Sequence, residues 1–436
     1  MSEWQGTEIG SIPPDWQIKT LDQYIQDGRG ICYGVVQPGF HDENGIPMIR
    51  VNNLKDGRIN HDDVLKVSAN IESKYSRSRL KGGELLISLV GNVGEIVIVD
   101  PQYEGWNIAR AVGVIPINNN IDRAWLKYWL QSSQIKHYIN THCNTTVQIT
   151  LNLKDVSELP ILEPPLEEQK LIASIPSVLD RKISNLRQQN ETLESIAQTL
   201  FKHWFVDFEF PNEDGKPYKS SGGAMVRSDL GDIPVGWEVG KLDDVLQLVI
   251  DYRGRTPKKL GTDWSLTGIP ALSAKNIKSG RIVREDSINF VDKDLYKKWM
   301  KDELQKGDVL LTSEAPLGEL LYLANNKKYV LSQRLFSLRV KESFSSSYLY
   351  FWLKSSQGQF LLERRATGST VEGIRQVELR KVEIIIPTLG ILAKATNIWI
   401  VALEKIESNI QQIQTLTQMR DRLLPKLMSG QLRIPE

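Results

Sequence analysis

Apolar positions along this 436-residue chain follow two rhythms, and each rhythm occurs twice. Short β-rich runs come first: IPMIRVNN, ELLISLVG and EIVIVD, and later IPALSAKN, DVLLTS and ELLYLA, bounded by Gly, Asn and Asp turn signals. An amphipathic helix is predicted after each set, near 122–139 and near 345–363, and each set closes on an Ile/Leu/Pro run, SELPILEPPLEEQ or VEIIIPTLG. A long helix then follows. In the first, Leu179, Ile183, Leu186, Asn190, Leu193, Ala197, Leu200 and Trp204 recur at spacings of four and three. In the second, Leu403, Ile406, Ile410, Ile413, Leu416, Arg420, Leu423 and Leu427 do the same. Both read as heptad seams, in which Asn190 and Arg420 are polar interruptions of the kind that fixes register. Pro164, Pro165, Glu167 and Glu168 suit a helix start, and Gly430 suits a stop. Neither helix has enough repeats to stand alone as a fibre. The pattern predicts that they pair with each other, antiparallel and within the chain; the alternative is that each packs on its own module. A helix of about 40 residues spans about 60 Å, so the pair would act as a spacer.

The two rhythms belong to a duplication. GSIPPDWQIKTLDQYI at 10–25 returns as GDIPVGWEVGKLDDVL at 231–246, and IPMIRVNNLKDGRI at 46–59 returns as IPALSAKNIKSGRI at 269–282. GELLIS at 83–88 becomes GDVLLT at 307–312, and YWLQSSQ at 128–134 becomes FWLKSSQ at 351–357, all at an offset of 221 to 224. The expected fold is therefore α+β: two repeated mixed α/β modules separated by the two long helices as an antiparallel intramolecular coiled coil, with pseudo-twofold symmetry. The expected boundaries are 1–163 for the first module, 164–210 for the first helical spacer with a polar linker to 229, 230–386 for the second module and 387–436 for the second spacer.

Composition narrows the class. The chain is 41% apolar and 25% charged, with no apolar run near the roughly 20 residues that a membrane helix needs. Its first residues lack the basic and apolar blocks of a secretory signal, and its two cysteines, Cys32 and Cys143, lie in one repeat only. Free thiols in a reducing cytoplasm are the expectation. Net charge is +1, unevenly spread: residues 1–163 carry 15 Lys and Arg against 19 Asp and Glu, and residues 211–386 carry 28 against 23. A surface that tracks phosphates needs local positive charge, which the second module has.

The usual catalytic engines are missing from the sequence. There is no GxxxxGK[ST] loop for ATP and no [DN]PP[YF] tetrapeptide of adenine methyltransferases. His137, His142 and Cys143 have no counterpart in the second repeat, which argues against a zinc site. Carboxylates are abundant without a distinguishable acid/base pair, so a nuclease or methyltransferase with a degenerate centre stays open, as does a duplicated protein-binding scaffold.

Polar groups suited to nucleic acid recur at matched places. DGRGICYGVVQPG carries Arg29, Tyr33 and Gln37 among glycines, and IDYRGRTPKKLG carries Arg253, Arg255, Thr256, Lys258 and Lys259. Arg and Gln can read guanine and adenine edges bidentately, whereas a plain glycine turn would need none of them. Asn52, Asn53, Lys55 and Arg58 face Lys275, Asn276, Lys278 and Arg281 in the second copy, where turn chemistry and phosphate contact both fit. Arg110 and Arg334 are single arginines in apolar runs, suited first to half-buried structural roles and second to DNA. Thr146 and Gln148 in NTTVQ match Thr370 in GSTVE, followed by Arg375, before the last strand of each module.

The layout resembles the specificity subunit of type I restriction–modification enzymes. The GxIPxxW openings at 10–16 and 231–237, YGVVQPG at 33–39, RTP at 255–257, the GELLIS/GDVLLT pair and PPLEEQKLIASI at 164–175 carry the resemblance over nearly the whole chain. The last string is similar to the family's PLxEQxxIA entry into its helix; the second copy, IPTLGILAKATNI at 386–398, has lost the Glu-Glu-Gln. The resemblance implies two target recognition domains, each reading one half of a bipartite asymmetric site in double-stranded DNA. It implies helices that set the gap and dock methyltransferase subunits, two in number, with restriction/translocase subunits as further partners. It implies a cytoplasmic, non-catalytic chain that binds no cofactor itself, with S-adenosylmethionine, ATP and Mg used by the partner subunits.

Overall fold

The sheets of the two halves follow one plan. The computed structural model describes residues 4–55, 57–61, 63–142, 150–368 and 372–433. The chain divides into two compact units, Met1–Ser184 with Ile413–Glu436, and Asn185–Gln412. In the first, the strand Leu85–Ser88 lies between Ile96–Ile98 and Val112–Ile115, with Cys32–Tyr33 at the edge, all antiparallel. In the second, Val309–Thr312 lies between Leu320–Tyr322 and Leu335–Val340, with Leu246–Asp251 at the edge. A three-stranded sheet accompanies each: Asn107–Ile108, Ile46–Ile49 and Leu65–Val67 in the first unit, Val330–Leu331, Ile269–Leu272 and Asn289–Val291 in the second. Each unit also has a short hairpin, Leu54–Lys55 with Arg58–Ile59 and Ile277–Lys278 with Arg281–Ile282. Opening and closing strands pair as well, Gln17–Thr20 with Pro160–Glu163 and Glu238–Lys241 with Glu383–Ile386.

The central strands show why their sequences do not alternate. Successive side chains point to opposite faces, and here both faces are buried. Leu85 and Ile87 enter a core with Trp16, Trp125 and Trp129, whereas Leu86 enters a second core with Ile49, Val112 and Val114. In the second unit Val309 and Leu311 join Tyr348, Trp352 and Trp399, and Leu310 joins Leu272, Leu331 and Trp299. Trp125 and Trp129 sit on helix α1 (Arg123–Leu130), which Asp122 caps by accepting from Trp125 N at 2.8 Å.

The PLEEQ string starts helix α2, Leu166–Phe201, through side-chain contacts rather than propensity alone. Gln169, 1% exposed, donates to Pro164 O at 2.8 Å and accepts from Asp122 N at 2.9 Å. Glu168 accepts from Trp16 Nε1 at 3.2 Å and from Arg433. The two most conspicuous strings of the first repeat, GxIPxxW and PLEEQ, are therefore one interaction. Helix α3 (Ser346–Lys354) is the second unit's counterpart of α1. Helix α4, Leu389–Met428, begins without the Glu-Glu-Gln and stops at Gly430, whose φ is 73° and whose N–H reaches Leu427 O at 3.2 Å.

Helices α2 and α4 pair within each unit. In the first, Arg420 holds Asp180 at 2.7 Å. In the second, Asn190 meets Asn409 and Ala197 O accepts from Trp399 Nε1 at 3.1 Å, so residue numbers fall on α4 as they rise on α2: the pairing is antiparallel. The seam of α4 differs from the sequence expectation by one residue at one place and widens at another. Asn409, fully buried, takes the seam where Ile410, half-buried, was expected, and Ala402 is buried beside the expected Leu403. With them the stripe Leu392, Ala395, Trp399, Ala402, Ile406, Asn409, Ile413, Leu416, Arg420, Leu423, Leu427 alternates three and four without a break. Hydrophobicity pulled the sequence reading to the neighbouring apolar residue. Asn409 Nδ2 donates to Asn190 Oδ1 at 2.8 Å. A shifted register would bury these amides without partners, at about 1–3 kcal/mol each.

The polar stretch 211–229 is tied down. Phe210 stacks on Tyr218 with centroids 4.6 Å apart, and Met225–Ser228 pairs with Gly231–Pro234. Cys32 is a free, buried thiol; Cys143 lies outside the described residues. Among the described residues no helix is long and apolar enough to cross a membrane.

Candidate nucleic-acid interface

The edge strand Cys32–Tyr33 leads into a loop that lies against the neighbouring backbone. Val35 N donates to Ile108 O at 2.7 Å, and Arg110 N donates to Val35 O at 2.8 Å. Gly34 makes this approach possible, because a Cβ there would lie 1.9 Å from Ile108 O. Gly34→Ala is expected to destabilise the first unit by about 1–3 kcal/mol, read as a lower midpoint in urea denaturation; an unchanged midpoint would mean the loop is free to lift. The contact brings Tyr33, 40% exposed, the exposed Gln37 and the exposed Arg110 to one edge of the unit. Arg29 is not part of that edge. Its guanidinium pairs with Glu84, itself 3% exposed, and donates to Arg79 O at 2.8 Å, so it anchors the loop from inside.

The cationic turn of the second unit is largely self-satisfied. Arg253 forms a bidentate pair with Asp251 at 2.7–3.0 Å and lies 4.4 Å from the Phe336 ring centroid. Arg255 donates to Trp299 O and lies over the Tyr252 ring at 4.5 Å. Lys259 Nζ donates to Gly254 O at 2.7 Å, and Thr256 Oγ1 accepts from Lys259 N. Of these cations Lys258 and Lys259 are exposed with no ion pair among the described residues, Lys259 being tied to the Gly254 carbonyl. The sequence put these groups together correctly but could not show that Asp251, two residues before Arg253, shapes the turn.

The hairpin region splits in the same way. Asn53, 1% exposed, accepts from Arg50 N at 3.0 Å and donates to Asn60 O at 3.1 Å. Asn276, 0% exposed, accepts from Ser273 N and Oγ and donates towards Val283 O, Arg284 O and Ser287 Oγ. Both asparagines build turns and are not the DNA contacts expected from the sequence, since a buried amide with filled hydrogen bonds has nothing left to offer a base. Asn52, Lys55, Lys275 and Lys278 are exposed, Arg58 is half-buried, and Arg281 pairs with Glu194 at 3.3 Å.

Arg110 and Arg334 are both exposed, which overturns the half-buried structural role. They are also not equivalent. Leu89 N donates to Ala111 O and Ser313 N to Arg334 O, each at 2.9 Å, so Arg334 matches Ala111 and Arg110 matches Gln333. Arg334 takes φ 63° and pairs with Glu314 at 2.9 Å. Glu314 bridges to Gly373, Arg253 Nη1 reaches Ile374 O at 3.4 Å, and the exposed Arg375 follows. Three arginines distant in sequence, Arg253, Arg334 and Arg375, therefore gather at one end of the second unit. Thr146, Gln148 and Thr370 lie outside the described residues.

No three His, Cys, Asp or Glu side chains converge as a metal site among the described residues. The groups on offer are exposed cations, amides and one tyrosine on two copies of one scaffold, chemically unlike from copy to copy.

Comparison with known proteins agrees. A sequence model described as the type I restriction modification DNA specificity domain matches residues 15–195 and 234–417. The type I restriction enzyme MjaIX specificity subunit of Methanocaldococcus jannaschii is 27% identical over 449 residues, covering 100% of this chain and 98% of that protein. The EcoBI specificity subunit of Escherichia coli is 33% identical over 201 residues, covering 44% of this chain and 42% of that protein. The crystal structure of a type I restriction-modification S subunit from M. genitalium superimposes with a TM-score of 0.60 at 13% identity, over 95% of this chain and 96% of that one, a likeness of fold.

Proposed function

The chain belongs to the type I restriction–modification DNA specificity family, whose members recognise DNA and do not catalyse, and on that premise we propose how its two units divide the work. Each unit reads one half of a bipartite, asymmetric site in double-stranded DNA. The observation that carries this reading is the repeated scaffold with unlike exposed groups: Tyr33, Gln37, Lys55 and Arg110 on one copy, Lys258, Lys275, Lys278, Arg334 and Arg375 on the other. Identical readers would select a palindrome; unlike readers select unequal halves. Exposed lysines supply phosphate contacts that hold each unit in place, and arginine and glutamine supply base contacts.

Helices α2 and α4 set the separation of the half-sites and dock two methyltransferase subunits, to which restriction/translocase subunits add. S-adenosylmethionine, ATP and Mg are used by those partners; this chain contributes the address, and it works in the cytoplasm. Two weak readers on one spacer gain affinity only when the spacer matches the gap. Inserting seven residues into each of α2 and α4 lengthens each by about 10 Å, about three base pairs at roughly 3.4 Å each. Mapping of methylated sites should then show the same half-sites around a longer unread gap. An unchanged gap in active complexes would remove the spacer from the proposal.

A further inference from the structure

The two short hairpins share an underpinning for which their own strands do not account. Each has two residues per strand, Lys55 opposite Arg58 and Lys278 opposite Arg281. A two-stranded hairpin is marginal alone, so its angle must be set from outside. Leu54, Ile59 and Ile277 are buried beneath, while Lys55 and Lys278 stay exposed.

In the first unit, Glu95 accepts from Gly57 N at 2.7 Å. Directly under that glycine is Lys127 of α1: a Cβ on Gly57 would stand 3.1 Å from Lys127 Nζ. The Lys127 side chain is 12% exposed, and its Nζ lies 3.7 Å from Asp180 of helix α2. Asp180 is held in turn by Tyr128 Oη at 2.8 Å and Arg420 at 2.7 Å. Burial pushes the Lys127 ammonium below its ordinary pKa, and Asp180 pulls the other way.

The second unit repeats the arrangement with different bonds. Glu319 accepts from Ser279 N at 2.7 Å. Under the turn are Tyr350 and Lys354 of α3: a Cβ on Gly280 would lie 2.7 Å from Tyr350 Oη and 3.9 Å from Lys354 Nζ. Lys354 Nζ lies over the Tyr350 ring and 3.4 Å from its hydroxyl. The link to α2 is made by the hairpin itself, through Arg281 and Glu194 at 3.3 Å. So a turn N–H on the carboxylate that precedes a strand, a lysine from the first amphipathic helix under the turn glycine, and a carboxylate of α2 recur in both units. The recurrence survives a change of bonding partners, which points to a shared task rather than to local packing.

We propose that Lys127 and Lys354 are positioning residues that fix each unit's hairpin against helix α2, so that the helix sets the angle at which Lys55 and Lys278 meet DNA. This rests on the reading that each unit recognises one half-site. Lysine suits the place because a long stem crosses the apolar helix face while its charge stays at the polar turn, beside Asp180 in the first unit and the Tyr350 hydroxyl in the second.

The test uses the full chain with its methyltransferase subunits, in cells whose methylated sites are mapped. The variants are Lys127→Met and Lys354→Met, with Glu95→Ala and Glu319→Ala as a second route to the same turns. Discrimination at one half-site should fall about tenfold, the scale of one lost base-pair preference: the first unit's variants should relax one half and the second unit's the other. The half left intact shows in each case that the other unit is folded and the complex assembled. Unchanged discrimination, or equal loss at both halves, would overturn the positioning role. If the unaltered chain itself proved not to recognise two separable halves, the underlying reading would fall instead.

Discussion

Replacing residues 1–163 with the matching stretch of a relative should change one half of the methylated sequence and leave the other half, and the gap, in place. The boundary is physical. The strands Gln17–Thr20 and Pro160–Glu163 pair and so move together, and helix α2 begins just beyond, at Leu166. The helices nonetheless contribute Ile172, Ala173, Leu427 and Met428 to the same core as Trp16 and Trp125. The donor must therefore keep Trp16, which meets Glu168, and Asp122, which meets Gln169. Each mismatched base pair costs about 1–3 kcal/mol, so exchanging a half-site of several base pairs should move site preference by several powers of ten. Methylome mapping reads the outcome. If both halves changed together, the two units would not be independent readers.

Trp399→Ala should be the most destabilising single change in the second unit, at about 3–5 kcal/mol. Trp399 is 0% exposed, with its ring centroid 5.1 Å from that of Phe351, 5.4 Å from Phe205 and 6.0 Å from Phe201. Its indole N–H also satisfies Ala197 O at 3.1 Å. Truncation leaves a cavity where α2, α3 and α4 meet and an unpaired carbonyl inside it. Urea denaturation followed by circular dichroism gives the measurement, with Phe360→Ala, at a 60% exposed position on the same unit, as the near-neutral control. A loss below about 1 kcal/mol would mean that the aromatic cluster relaxes around the gap.

Both experiments depend on features of unequal legibility. The duplication, the central strands and the heptads could be read directly, the strands as short apolar runs between turn residues and the heptads because a helix that buries one stripe repeats about every three and a half residues. The missing motor and methyltransferase strings were equally plain. The candidate site was legible only as a neighbourhood. DGRGICYGVVQPG and IDYRGRTPKKLG do lie at matched edges, yet Arg29 is spent on Glu84, Arg253 on Asp251 and Arg255 on Trp299 O. Asn53 and Asn276 look as exposed as Asn52 in the sequence and are the best buried of all.

The sequence by itself determined that the protein is double, that its halves are α+β around short apolar strands, and that two heptad helices follow them. These are local periodicities, summed over many residues, and one displaced residue does not erase them. Only the tertiary structure decided that Asn190 meets Asn409, that Asp180 meets Arg420, that Arg110 matches Gln333 rather than Arg334, and that Lys127 and Lys354 lie under the hairpin turns. Each of these is a single pair or register among distant residues. With 54 Lys and Arg and 53 Asp and Glu in the chain, charge alone permits thousands of pairings, and only folding brings particular ones within hydrogen-bond reach.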